Sequence, residues 1–132
     1  MAVTSNLNIT KFVDGQSNPD TTINNALDVL DGLADVFVHD MASDADYTLG
    51  TAGTRPYEWQ HFVVQITDTG VVLTTGRNIV VPDNTRGYIF KNDTAQTLTL
   101  KTSAGSGIAV ATLKWALLRC DGTNVVRITP DA

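Results

Sequence analysis

The apolar positions of this chain change their period part-way along. Near the start, Ile23, Leu27, Leu30, Ala34 and Phe37 recur at alternating spacings of four and three residues, the stripe of an amphipathic helix. Asn24, Asn25, Asp28, Asp31 and Asp35 fill the opposite face. Asn18-Pro19-Asp20-Thr21 carries start chemistry, with Pro tolerated in a first turn and Asn, Asp or Thr able to cap, so the helix is predicted to begin within residues 18–22. Gly32 weakens it by about 1 kcal/mol relative to Ala, and the β-branched and aromatic run Val36-Phe37-Val38 predicts its end near Asp35. Ahead of it, residues 1–17 hold isolated apolar points (Val3, Leu7, Ile9, Phe12, Val13), the pattern of an arm that lies against something else.

From His39 to Pro56 the chain is polar and turn-rich, a surface connection with one brief strand at Tyr47-Thr48-Leu49. The period then becomes two. Between Trp59 and Thr67 one face is Phe62, Val64 and Ile66. Further strands are predicted at Val71–Thr75, Asn78–Val81, Gly87–Lys91, Thr97–Lys101 and Ile108–Val110, with a terminal hairpin of Leu113–Cys120 and Asn124–Thr129 about Asp121-Gly122. In Leu113–Cys120 both faces are apolar: Trp115 and Leu117 on one, Ala116, Leu118 and Cys120 on the other. Such a strand is covered on both sides, either by the N-terminal helix or by a second subunit.

About eight short strands, with Thr about one residue in seven, predict a mainly β protein: an antiparallel β-sandwich or jelly-roll-like domain preceded by an N-terminal arm and one amphipathic helix. The division is 1–38 for arm and helix, an assembly or attachment segment, and 39–132 for the β-domain. Two readings of the helix stand. It lies on its own β-domain, or it joins two others on a symmetry axis through Ile23, Leu27, Leu30, Ala34 and Phe37. Two heptads alone do not hold a coiled coil, so the second reading requires the β-domains to associate as well.

Nine basic against fourteen acidic residues, a net charge of −5, give no electrostatic footprint for nucleic acid. Cys120, the single cysteine, sits in an apolar strand as a small hydrophobe. The first residues lack signal-peptide character, no segment has the length of a membrane span, and synthesis in a cytoplasm is expected. His39 and His61 have no second ligand at zinc spacing. Asp44-Ala45-Asp46 opens like a calcium loop, but Leu49 occupies the glycine position and Arg55 the final acidic one. Neither Gly105-Ser106-Gly107 nor the distribution of acids supports a nucleophile, a phosphate loop or a glycosidase pair, so no enzyme, cofactor or metal is expected. Tyr47, Tyr57, Trp59 and Trp115 are core or interface packing, or a platform for sugar rings; Tyr47 and Tyr57, bordering loops, are the candidate glycan contacts.

Gly15-Gln16, then Asn25-Ala26-Leu27-Asp28-Val29-Leu30-Asp31, then a Thr-rich β region closing on Cys120-Asp121-Gly122-Thr123-Asn124-Val125-Val126, resemble virion proteins of tailed bacteriophages. The first part is similar to the amino-terminal segment of fibre and head-spike proteins, the second to β-domains of tail-fibre and capsid-decorating proteins. Unlike long fibres, the chain has no repeats, collagen-like tract or extended shaft. The resemblance implies a homotrimer in the virion, a capsid decoration (cement) or short head-fibre protein whose partner is the major capsid protein. The alternative it implies is a tail-fibre module that recognises host surface carbohydrate.

Overall fold

In the computed structural model, residues 19–32, 35–51 and 56–129 are described. The arm, Gly15-Gln16 and Ala34 lie outside them. Helix α1 spans Pro19–Gly32, and nine strands follow among the described residues: β1 (Val36–Asp40), β2 (Tyr47–Thr48), β3 (Val63–Thr67), β4 (Arg77–Val81), β5 (Arg86–Asp93), β6 (Leu98–Thr102), β7 (Gly107–Val110), β8 (Trp115–Cys120) and β9 (Val125–Arg127). The protein is mainly β, with two mixed sheets, one ordered β1-β3-β5-β8-β9 and the other β2-β4-β6-β7.

Through β6 the strands alternate between the sheets, so the chain winds in three circuits, β1 to β2, β3 to β4 and β5 to β6. Paired residues lie 27 and 26 positions apart in β1–β3 and β3–β5 and 32 and 21 apart in β2–β4 and β4–β6, and all four pairs are parallel. Parallel neighbours need a long crossover, which a strand of the other sheet supplies here in place of a helix. Only β5–β8, β6–β7 and β8–β9 are antiparallel, which corrects the expectation of an antiparallel sandwich. Val36–Val38 belong to β1, the first rung of the larger sheet, and His39 and Asp40 continue it where a loop was expected. Val71–Thr75 is not a strand, although Leu73 within it is buried.

Strand alternation sets one row of side chains inward. Across the larger sheet, Val64, Phe90 and Ala116 align in register; in the smaller, Ile79 aligns with Leu100 and Leu98 with Val110. All are buried, in one core cluster that both sheets share. At this sheet's edge, Phe37 extends the first row only half-buried.

Carboxylates tie one circuit to the next. Asp40 accepts the Thr67 hydroxyl at 2.7 Å and the Thr69 and Gly70 amides at 2.8 and 2.9 Å. Asp44 accepts Thr74 and, at 2.8 Å, Arg77 Nε, while Asp46 accepts the Asn78 amide at 2.8 Å. Asp68 Oδ2 accepts the amides of Leu73 at 3.0 Å and Ala95 at 3.1 Å. Fully buried Asn92 donates to Gln96 and Val110 and accepts from Thr94. The acidic balance of the chain thus has a structural use, satisfying backbone donors at corners that no ladder reaches. The terminal turn works likewise: Asp121 Oδ1 accepts the Thr123 and Asn124 amides, and Gly122 supplies a φ of 101°.

Candidate functional site

Helix α1 has two apolar directions. Val29 is fully buried, whereas Ile23, Leu27 and Leu30 are 46, 55 and 49% exposed. The stripe that its spacing marks for burial is therefore open in the single chain, and none of the strands packs extensively on α1 among the described residues. Phe37 departs from that stripe. It lies on β1, faces inward and stacks on His61 with ring centroids 5.5 Å apart.

Its neighbours Val36 and Val38 face outward, 44 and 54% exposed. Register makes Val36 the first member of a row that crosses the whole outer face of the larger sheet. Val36 pairs with Val63, Val63 with Ile89 and Ile89 with Leu117, and the Ile128 amide donates to Leu117 O at 2.9 Å. The three central side chains are half-buried, and Ile128 is 54% exposed. Next to it runs Val38, Gln65, Lys91 and Trp115, with Lys91 Nζ 5.4 Å from the centre of the Trp115 ring. On the other side lie Arg119, which is exposed, and Val126. The smaller sheet is different: its outer rows are Thr48, Val80, Lys101, Gly107 and Asn78, Thr99, Ala109. The larger sheet thus has an apolar row across its outer face, flanked by polar and charged positions, whereas the outer rows of the smaller sheet are mostly polar.

Tyr47 and Tyr57 fall on the opposite strand edge and its loop. The Tyr47 ring stacks on His39 with centroids 3.7 Å apart, and its hydroxyl donates to the Glu58 carboxylate at 2.8 Å. Burial and that carboxylate raise the Tyr47 pKa to about 12. Burial lowers the His39 pKa below its ordinary value, opposed by Glu58 and Asp40. Tyr57, half-buried against the core, leads into the turn Glu58–Gln60, its amide donating to Gln60 Oε1 at 2.8 Å. Trp59 is buried in that turn, not in a strand, and forms a wall of an open cleft of about 280 Å³ with Thr48, Leu49, Val80, Pro82 and Ser103. Behind Trp59, buried Arg86 donates to Gln60 O at 2.6 Å and lies 4.9 Å from the Tyr88 ring centre. The structure does not join Tyr47 and Tyr57 to Trp115, which lies on the outer face of the larger sheet.

Comparison with family models, curated proteins and solved structures finds no match. The helix stripe was visible in sequence. Of the sheet stripe, sequence marked only Leu117 together with Trp115 of the neighbouring row, since the other members are brought alongside by pairing at long separation.

Proposed function

We propose that this chain is a non-enzymatic structural protein of a phage virion, working as a homotrimeric capsid decoration (cement) or short head-fibre protein that stabilises the capsid. The observation that carries the self-association is the open stripe Ile23, Leu27 and Leu30 on a helix whose other side is buried at Val29. Apolar side chains held about half exposed on an ordered helix gain free energy when a partner removes them from water. The phage setting is supported by the sequence resemblance alone. In it, several copies clamp neighbouring capsid subunits, and many weak contacts add up to firm attachment.

Light scattering on the purified chain tests the assembly: a trimer mass for the wild type and folded monomers for Leu27→Ser/Leu30→Ser are expected, and a wild-type monomer refutes it. For attachment, deletion of residues 1–17 lowers occupancy on capsids; unchanged occupancy removes the arm from that role. A second reading, recognition of host surface carbohydrate, draws on the cleft beside Trp59, which Thr48, Thr51 and Ser103 line together with Leu49, Val80 and Pro82. Binding to host cells rather than to capsids would favour it.

A further inference from the structure

We infer that the edge of the sandwich where β1 faces β2 is an acid-opened seam: protonation of His39 parts its ring from Tyr47 and exposes the rings packed there, while the rest of the two sheets stays closed. β1 is an end strand of the larger sheet and β2 of the smaller, each with a single ladder neighbour. No ladder joins the two, and side chains close the gap. The His39 and Tyr47 rings stack with centroids 3.7 Å apart and planes 15° apart, and Phe37 stands 6.3 Å from His39 and 5.5 Å from His61. Both histidines of the chain thus lie in one line of four rings, of which Phe37 and Tyr47 pack against the buried core.

The seam is sensitive to a proton because His39 Nε2 is buried with no hydrogen-bond partner among the described residues. A neutral imidazole leaves one nitrogen bare, and Nε2 serves as that nitrogen at small cost. The protonated ring carries an N–H on both, so Nε2 becomes a buried donor without an acceptor on a ring that bears charge. The charged groups that act on His39 are Glu58, from the turn before β3, and Asp40, its neighbour in β1. Tyr47 of β2 and Ile66, its register partner in β3, bring no charge, and His61 stands beside Phe37. Both carboxylates are engaged elsewhere, Asp40 by Thr67, Thr69 and Gly70, Glu58 by the Tyr47 hydroxyl and the Gly50 amide. Burial outweighs their pull and lowers the His39 pKa. Opening the seam returns the ring to water and its ordinary 6.5. The open population therefore rises as pH falls below 6.5, by at most about tenfold per pH unit, until the folded value is passed. The inward row Val64, Phe90 and Ala116 holds no such group, so the opening is local.

Hydrogen–deuterium exchange and NMR on the intact chain at pH 7 and pH 5 test this. With intrinsic exchange corrected for, protection of residues 36–50 is expected to fall by about threefold or more relative to residues 86–93, together with loss of ring-to-ring cross-relaxation between His39 and Tyr47. His39→Phe keeps a ring in the stack without a titrating nitrogen and should abolish the loss of protection. His39→Asn serves as the non-titrating variant should Phe disturb the fold. Three results each overturn the inference: the two rings stay in contact once His39 is protonated, both segments lose protection together, or the non-titrating variant keeps the pH dependence.

Discussion

Removing the Asp68 carboxylate isolates the contribution of the corner clamps. Asp68 is 9% exposed and its Oδ2 accepts two amides, Leu73 N–H from its own loop and Ala95 N–H from the turn after β5. In Asp68→Ala both lose their acceptor. Leu73 is 1% exposed, so its amide bears most of the penalty of an unmade buried hydrogen bond, about 1–3 kcal/mol. Ala95 is exposed, and water replaces the carboxylate at a cost of about 1 kcal/mol. The expected loss is about 3 kcal/mol. With an unfolding entropy of about 2.1 cal/mol/K per residue over 132 residues, that lowers Tm by about 10 °C. Urea unfolding should show a reduced midpoint with an unchanged m-value. Asp68→Asn keeps an oxygen in place and should lose about half as much. A loss below about 0.5 kcal/mol in Asp68→Ala would refute the claim that this carboxylate binds the second circuit to the third.

Three further outcomes are expected. Hydrogen bonds hold the carboxyls of Asp40, Asp44, Asp46 and Asp121 below their ordinary 3.8, Asp44 chiefly through Arg77; their contribution is full above that value and is lost as pH falls through the lower folded pKa. His39, also lowered from 6.5, adds stability that is full above 6.5 and declines as pH falls through its folded value, so urea midpoints of His39→Asn should fall less between pH 7 and 5 than those of the wild type. Gly105→Ala should destabilise by about 3 kcal/mol by urea unfolding, because the added Cβ would meet Thr123 O at 1.9 Å and overpacking of this kind is costly.

The sequence made α1, the terminal hairpin and most core strands legible because each is encoded locally. Its periodicity marks Val64 and Ile66 as inward, and both are fully buried. Parallel winding was not legible. A parallel and an antiparallel sandwich demand the same alternation within each strand, and the difference lies only in which strand arrives alongside, as Val36 does beside Val63 and Val63 beside Ile89. Similar residues do stand at those three positions, but across loops of unequal composition they do not form a repeat. β1 was read as the end of the helical segment and the start of a loop because Val36-Phe37-Val38 is followed at once by His39-Asp40. The structure makes His39 an inward stacking partner of Tyr47 and Asp40 a corner clamp, roles that polar composition hides. For the candidate surface, Ile23, Leu27 and Leu30 could be read from the helical spacing although Phe37 of the same spacing lies on β1, whereas the sheet row needed the register.

The two-faced apolar character of the larger sheet raises a question that the clamps answer. Where one face is apolar and the other polar, a slip of one residue exposes the core row, and burial alone fixes the pairing. In β1, β3, β5 and β8 both rows contain large apolar side chains, Phe37, Val64, Phe90 and Ala116 inside against Val36, Val63, Ile89 and Leu117 outside, so burial discriminates less sharply. The corner carboxylates restore the discrimination, because Asp40 meets the Thr69 and Gly70 amides, and Asp68 the Ala95 amide, only in one register. Buried Asn92, with donors and acceptors all engaged, holds the third circuit in the same way. An outer row of a sheet can then be apolar without loss of a unique fold.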